Sequence, residues 1–304
     1  MSGGSVSRRR SRHAVGRWMA ILASLAAAPA PAAPAPSTAT RPITIGQAHS
    51  IDSAALRQRR TINVVLPARY AKDPGKRYPV LYVIDGGVEQ DLLHVAGVVQ
   101  LGASLGRSQE AIVVGVETID RRRELTGPTA DAKLLRRYPT SGASSAFRRF
   151  LRDEVKPLVA RTYRTSGEDA VIGESLAGLF IVETYLREPS LFRAYAAIDA
   201  SLWWDKEALS LSAAGLMGER QRAKPIYLAA AKEQIETPAA INRVLAALKG
   251  RTASWCVTSR PDLGHATIYQ QVSPEALQFL LPPREPPPRE FGFAVKCSEG
   301  PGRQ

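Results

Sequence analysis

Residues 170–186 read AVIGESLAGLFIVETYL, a short apolar run followed by a turn of small residues and an apolar segment of helix length. A nucleophile elbow has this order of strand, turn and helix, with the serine in strained backbone geometry at the turn. The residues two before and two after that serine must be small, and here Gly173 and Ala177 flank Ser175. Because serine is also a common helix N-cap, this stretch alone leaves both roles open for Ser175.

Apolar runs of strand length alternate with segments of helix length along the rest of the chain. We predict strands at residues 61–66, 79–84, 111–116, 170–172, 194–198, 225–230 and 253–258. We predict helices at residues 145–162, 176–187, 204–217, 238–248 and 274–281. Near-continuous apolar strands separated by helices are typical of a mostly parallel sheet with helices on both faces. The pattern therefore predicts one α/β domain.

The N-terminus has the composition of an export signal. Five arginines between positions 8 and 17 precede the apolar residues 18–28, and small residues and prolines follow. The apolar run is shorter than the roughly 20 residues that span a bilayer, so we expect no stable membrane insertion. We predict a signal peptide over residues 1–32, an Ala/Pro-rich linker over 33–42, the α/β domain over 43–281 and an irregular Pro-rich tail over 282–304. The sequence leaves the Sec and twin-arginine routes open, and we expect a periplasmic protein.

Charge and composition limit the kinds of partner. The formal net charge of +13 falls to about +8 once the five arginines of the signal are removed. No stretch resembles a nucleic-acid-binding module, so we expect no nucleic-acid partner and interpret the surplus as solvated surface plus a site for an anionic ligand. Four histidines and two cysteines do not form a metal-binding pattern, and we expect no metal and no cofactor. The oligomeric state is left open.

The two cysteines, Cys256 and Cys297, are far apart in sequence. In an oxidising compartment they can form one bridge that ties the tail to the body. The alternative is a buried Cys256 and an unpaired Cys297. The sequence does not choose between these two arrangements.

A nucleophilic serine needs a base from elsewhere in the fold. His13 lies in the signal, His49 is next to the linker, and His94 falls within a helical pattern. His265 follows the last predicted core strand in RPDLGHATIY. Because the carboxyl ends of parallel strands meet at one edge of the sheet, we expect His265 to be the base for Ser175.

The orienting acid should lie between the serine and the histidine in the chain. Glu233, directly after the predicted strand 225–230, is the first choice, with Glu236 close behind it. Asp199 after the preceding strand is the rival, and Asp262 near the histidine is a third option. A dyad without an acid is a further alternative.

An oxyanion hole needs two backbone N–H groups that point at the developing negative charge. Leu176, directly after the serine, should supply one of them. The other should come from residues 85–88, which follow the predicted strand 79–84, and Gly87 is our choice. An ordinary tight turn would also use glycines here.

The sequence resembles the putative esterase family of α/β hydrolases, in particular the bacterial trilactone siderophore esterases and their exported relatives. The resemblance covers residues 44–281 and rests on the order of five stretches: YPVLYVIDGG, VVGVETIDRRRELTGPT, FRRFLRDEVKPLVARTYRT, VIGESLAGLFIVETYLREPSLFRAYAAIDASLWWD and GHATIY. It implies an α/β-hydrolase fold, with Ser175 and His265 as the catalytic pair. It also implies an acid after the strand that ends near Ala231, although some relatives work with a Ser–His dyad.

The resemblance gives a role to the run of three arginines at residues 121–123. In siderophore esterases, arginines of the matching loop face an anionic catecholate, and a planar guanidinium suits such oxygens. We single out Arg122 as a substrate-binding residue; the alternative is an ordinary solvated loop. Trp203, next to Trp204, is expected to wall the pocket, although such pairs are as often plain core.

We therefore predict a serine esterase that forms an acyl-enzyme on Ser175, with His265 as general base. Its substrate is expected to be a small-molecule ester, of the catecholate trilactone type or another anionic ester. Two alternatives stay open. One is an acyltransferase of the same fold, and the other is a non-catalytic protein that binds an anionic ligand.

Overall fold

The computed structural model describes residues 39–221, 223–252 and 254–302. The predicted signal over residues 1–32 and positions 33–38 of the predicted linker lie outside these residues. Residues Thr44–Gln304 form one compact unit. Over the described ranges, no helix combines the length and apolar character required to cross a bilayer.

One sheet of nine strands runs through the described part of the chain, in the order β1-β2-β4-β3-β5-β6-β7-β8-β9. Strands β4, β3, β5, β6, β7 and β8 are parallel, whereas β1, β2 and β9 pair antiparallel at the two edges. The strands are β1 (Gln47–Ser53), β2 (Gln58–Val65), β3 (Tyr78–Ile84), β4 (Ile112–Val116), β5 (Thr165–Glu174), β6 (Ala194–Ile198), β7 (Ile226–Ala231), β8 (Trp255–Arg260) and β9 (Glu299–Gly302).

Helices cover both faces of this sheet. They are α1 (Leu92–Ser104), α2 (Arg121–Leu125), α3 (Ala132–Arg137), α4 (Ser144–Phe150), α5 (Lys156–Thr162), α6 (Leu176–Arg187), α7 (Trp204–Leu216), α8 (Lys232–Glu236), α9 (Ala239–Leu248) and α10 (His265–Leu280). A π-helical turn, Leu151–Val155, joins α4 to α5. Apolar side chains of α1 and α10 form one core with the sheet, and those of α4, α5, α6, α7 and α9 form the other.

The prediction of a mostly parallel α/β sheet with helices on both faces is confirmed. The seven predicted strands correspond to β2 through β8, with ends that differ by a few residues. The last helix starts at His265, nine residues before its predicted start, and Pro274 lies inside it. Proline favours the first turn of a helix, which is why the pattern suggested a start there.

The C-terminal tail is more ordered than the sequence suggested. Strand β9 pairs antiparallel with β8, and a disulfide joins Cys256 in β8 to Cys297 just before β9, with the two Cα atoms 5.1 Å apart. Of the two arrangements left open for the cysteines, the structure has the bridge.

A buried ion pair fixes the short helix α2 against β2. Arg60 and Glu124 share two hydrogen bonds of 2.5 and 2.9 Å, and their side chains are 0% and 3% exposed. Glu124 also accepts the backbone N–H groups of Ile119 and Asp120, and Arg60 donates to the carbonyl of Glu117. The ion pair with Arg60 therefore fixes the position of α2, which carries the run of three arginines.

Candidate active site

Ser175 occupies the sharp turn between β5 and α6. Its φ of 61° and ψ of −118° are strained for a residue with a side chain. A Cβ atom on Gly173 would lie 2.6 Å from the methyl carbon of Ala177, so a glycine at 173 and a small residue at 177 are both required by the turn. The backbone N–H of Ser175 donates to the carbonyl of Ile198 in β6 (3.0 Å). Of the two roles left open for Ser175, the structure has the backbone geometry of an elbow, and the Ser175 side chain makes no N-cap hydrogen bond.

His265 is the first residue of α10 and lies opposite this serine. The distance from its Nε2 to Oγ of Ser175 is 3.1 Å. Strand β8 ends five residues earlier at Arg260, so the loop between β8 and α10 carries the imidazole back over the carboxyl edge of the sheet. About half of the His265 side chain (47%) is exposed, which leaves this histidine accessible to a substrate.

Asp199, directly after β6, contacts the imidazole of His265. Its Oδ2 lies 2.5 Å from Nδ1 of His265, and its side chain is 6% exposed. The other oxygen, Oδ1, accepts the backbone N–H of Ala231 (2.9 Å), and Asp199 itself has a left-handed φ of 41°. The hydrogen bond to Asp199 raises the pKa of His265 above its usual 6.5, against the opposing effect of partial burial.

Glu233 does not occupy the place expected for the acid. Its Oε2 accepts the backbone N–H of His265 at 3.2 Å, so it contacts the main chain of α10 and not the imidazole. Glu236 pairs with Lys232, and Asp262 pairs with Arg260. Of the four acids predicted as candidates, Asp199 is the one that contacts Nδ1 of His265. The turn after β6 places Asp199 at the imidazole, whereas the turn after β7 places Glu233 at the backbone of His265.

The two expected oxyanion donors have different surroundings. Leu176 is the first residue of α6, where a backbone N–H has no partner within the helix. The N–H of Gly87 instead donates to Oε1 of Gln90 (2.9 Å). The loop after β3 is fixed by close contact of Gly86 with Gly115, where a Cβ on either glycine would lie within 2.3 Å of the other's backbone.

Residues 53–255 match the protein family described as "Putative esterase". The chain belongs to this family. It is therefore a carboxylic ester hydrolase.

The esterase is also similar to individual proteins of known name. It is 26% identical over 260 residues to the ferri-bacillibactin esterase BesA of Bacillus subtilis, an alignment that covers 75% of this chain and 88% of BesA. Its fold matches an IroE-like serine hydrolase from Shewanella oneidensis with a TM-score of 0.68 at 21% identity, over 77% of this chain and 80% of that one. It matches the siderophore hydrolase EstB from Aspergillus nidulans with a TM-score of 0.69 at 16% identity, over 83% and 99% of the two chains. The fold is that of the α/β hydrolases.

Two arginines of α2 take different positions in the esterase. Arg121 binds Oδ2 of Asp85 through Nε (2.7 Å) and Nη2 (2.6 Å), at the carboxyl end of β3. Arg122 places its guanidinium 4.3 Å from the ring centre of Tyr138, and Tyr138 in turn packs against Trp204. The sequence favours Arg122 as the substrate-binding residue and does not indicate that Arg121 turns toward the strand ends, because a run of three arginines gives no signal about the direction of each side chain.

Trp203 lies on the loop that follows Asp199. Its side chain is 52% exposed, and its ring contacts that of the buried Trp204 at 5.9 Å between centres. The first of the two tryptophans is therefore at the surface, and the second belongs to the core.

Two further carboxyl groups form part of this region of the esterase: that of Glu174 interacts with His265, and that of Asp91, directly before α1, interacts with Glu174. Burial raises the pKa of Glu174 to about 7, and burial together with Asp85 raises that of Asp91 to about 6. Oε1 of Glu174 and the hydroxyl of Tyr269 are buried, and no hydrogen-bond partner for either is present among the described residues. The residue before Ser175 therefore carries a carboxyl group that changes its charge near neutral pH.

Proposed function

We propose that the protein hydrolyses its ester through an acyl-enzyme on Ser175, with His265 as general base and Asp199 as the orienting acid. The observation that carries this proposal is the line of two hydrogen-bonding contacts from Ser175 Oγ to His265 Nε2 (3.1 Å) and from His265 Nδ1 to Asp199 Oδ2 (2.5 Å). A nucleophile, a base and an orienting group in hydrogen-bond reach of one another form the arrangement used for nucleophilic acyl transfer.

The geometry suits the following sequence of steps. His265 takes the proton of Ser175 as Oγ attacks the ester carbonyl, and Asp199 stabilises the imidazolium. The N–H of Leu176 faces the developing oxyanion; Gly87 joins it when the amide of Gln90 turns away from its N–H. His265 then protonates the leaving alcohol, and water repeats the attack to release the acid and restore Ser175.

The proposed substrate is a catecholate trilactone or another anionic ester. The relatives named as siderophore esterase and hydrolase support this class, and so does the cationic α2 with Arg121 and Arg122 next to the site. We propose that Arg122 and Trp203 border the space for the alcohol or acyl part, since the stack of Arg122, Tyr138, Trp204 and Trp203 leads from α2 to the loop after β6.

The test is hydrolysis of p-nitrophenyl butyrate by the chain without its first 32 residues, beside Ser175→Ala and His265→Ala. Both variants should fall to background while the wild type turns over. An inert wild type, or a Ser175→Ala variant that keeps its activity, would contradict the proposal. A second screen with a catecholate trilactone compares Arg121→Ala and Arg122→Ala, and an unchanged KM for both would remove the cationic helix from the substrate site.

We also propose that the protein is exported to the periplasm. The disulfide between Cys256 and Cys297 supports this location, because such bonds persist in oxidising compartments. Fractionation of the native host should place the processed chain outside the cytosol. Accumulation of the unprocessed chain in the cytosol would contradict the proposal.

A further inference from the structure

A second serine hydroxyl lies against the nucleophile. Oγ of Ser201 is 3.2 Å from Oγ of Ser175, and Ser201 is only 5% exposed. Within the described residues, this contact is the only hydrogen bond made by the Ser201 side chain. The backbone N–H of Ser201 separately donates to the carbonyl of Ser175 at 3.0 Å, so the backbone position of Ser201 does not depend on its hydroxyl.

The number of hydrogens decides the direction of the contact between the two hydroxyls. The carboxylate of Asp199 accepts from Nδ1 of His265, so the proton of the neutral imidazole is on Nδ1 and Nε2 is the acceptor. The single hydroxyl hydrogen of Ser175 is therefore used in the bond to Nε2. Ser201 must then be the donor, and its O–H points at a lone pair of Ser175 Oγ.

We propose that Ser201 is a further catalytic residue, whose hydroxyl donates a hydrogen bond to Oγ of Ser175 and stabilises the negative charge that develops on this oxygen. This inference rests on the proposed acyl-enzyme mechanism. In acylation, Oγ gains charge as its proton moves to His265 and the bond to the acyl carbon forms. In deacylation, the same bond breaks, and Oγ is the leaving group until His265 returns the proton.

The benefit comes from the difference between the resting and reacting states. In the resting enzyme the bond joins two neutral hydroxyls, and a hydrogen bond to an ionised oxygen is roughly twice as strong. Loss of one oxyanion-hole donor costs about 10²–10³ in kcat. Because Oγ carries only part of the charge, we expect the loss of the Ser201 hydroxyl to cost about tenfold. An interaction made mainly in the transition state should lower kcat and kcat/KM together and leave KM unchanged.

The reverse polarity predicts the opposite sign. If Ser175 donated its hydrogen to Ser201, this bond would compete with the bond to His265. Removal of the Ser201 hydroxyl would then free the nucleophile's proton and make the enzyme faster. The sign of the effect therefore separates the two arrangements.

The experiment measures the rate at which a fluorophosphonate labels the chain without its first 32 residues, with wild type, Ser201→Ala, Ser201→Thr and Ser210→Ala. In this reaction Oγ of Ser175 bonds to phosphorus, fluoride leaves, and the serine proton passes to His265, so the rate reports on the nucleophile without knowledge of the natural ester. Ser210 is a buried serine of α7 whose hydroxyl bonds to the carbonyl of Glu207, and it serves as the matched control.

We expect the second-order labelling rate of Ser201→Ala to fall about tenfold, with Ser201→Thr closer to wild type because it keeps the hydroxyl, and Ser210→Ala unchanged. With p-nitrophenyl butyrate, kcat of Ser201→Ala should fall with no change in KM. If the wild type is labelled and Ser201→Ala is labelled equally fast or faster, the proposed role of Ser201 is wrong, while the proposed function stands. A wild type that is not labelled at Ser175 overturns the proposed function and this inference with it.

Discussion

The carboxylate of Asp199 lies 2.5 Å from Nδ1 of His265, although 66 residues separate the two in sequence. This contact leaves Glu233 with the backbone N–H of His265 as its partner. The two acids are matched in charge and both touch His265, but only one of them touches the imidazole. They can therefore be tested against each other.

Asp199→Asn should lower kcat/KM by about 10³–10⁴, because the amide no longer fixes the tautomer or stabilises the imidazolium. Glu233→Gln keeps an acceptor for the N–H of His265 and should stay within a few-fold of wild type. Steady-state kinetics with p-nitrophenyl butyrate measures both. The assignment of Asp199 fails if Glu233→Gln is the more damaging change.

The acid limb of the pH profile should reflect the raised pKa of His265. The general base must be neutral, so kcat/KM should fall as the pH decreases through a value above 6.5. The ionised carboxylate of Glu174 adds to this increase in the pKa, so Glu174→Gln should move the midpoint to lower pH. A midpoint that moves to higher pH in this variant would contradict the coupling between Glu174 and His265.

Glu174 should also make stability depend on pH. Its pKa in the folded state is about 7, above the ordinary 4.5, so the folded state binds the proton more tightly than the unfolded state. The contribution of protonated Glu174 to the free energy of unfolding is fully present below pH 4.5 and is lost as the pH rises through about 7. Glu174→Gln stays neutral, and after allowance for partial exposure it should gain about 1 kcal/mol, or roughly 2–4 °C in Tm, at pH 8.5.

Thermal unfolding at pH 5 and pH 8.5 measures this gain. At pH 5 the difference from wild type should be close to zero. Glu168→Gln, an exposed position on the same strand β5, is the control for the substitution itself. A gain for Glu174→Gln that is equal at both pH values would contradict the linkage.

The buried pair of Arg60 and Glu124 should be far more sensitive than an exposed pair. Glu124→Gln leaves the guanidinium buried without a counter-charge, and we expect a loss of about 3–5 kcal/mol in the free energy of unfolding. Asp52→Asn breaks the pair with Arg59, in which the side chain of Asp52 is 83% exposed and that of Arg59 is 74% exposed. This change should have little effect on the free energy of unfolding. Urea denaturation compares them, and equal losses would contradict this difference.

The disulfide should stabilise the fold without affecting catalysis. It closes a loop with a sequence separation of 41 residues, for which chain entropy gives about 4 kcal/mol. Cys256 is the second residue of β8, at the end opposite His265, so Cys256→Ser with Cys297→Ser should keep kcat/KM while losing stability in urea. A large loss of kcat/KM under conditions where the variant is folded would contradict this separation.

The central strands and the sharp turn at Ser175 could be predicted from sequence because their signals are local. Strands buried on both faces must be apolar along their length, and the elbow must place small residues around Ser175. Strand β1 reads QAHSIDS, half polar and partly exposed, so it lacks the apolar run that marks the inner strands. Strand β9, EGPG, has almost no strand propensity and is held by its pairing with β8 and the nearby disulfide.

Which carboxylate contacts Nδ1 of His265 could not be chosen from sequence, because the choice depends on the shape of two turns. Asp199 turns back through a left-handed φ of 41° and is anchored by the N–H of Ala231 in the neighbouring strand. Helix α8 begins directly after β7 and directs Glu233 to the backbone of α10. Both placements depend on contacts between residues that are far apart in sequence. The hydroxyl of Ser201 was missed for the same reason, since nothing in DASLWWD marks one serine as facing another.

The covalent bond between β8 and the tail also protects the sheet from other chains. Without β9, β8 would present a row of unpaired backbone groups, and such an open edge is a template for aggregation. Strand β9 covers this row, and the residue Pro301 with its flanking glycines gives the new edge little capacity to recruit a further strand. A short, poorly strand-forming segment is a safe cover because Cys297 keeps it in place. Reduction of the bridge should therefore expose a surface that draws molecules of this protein together.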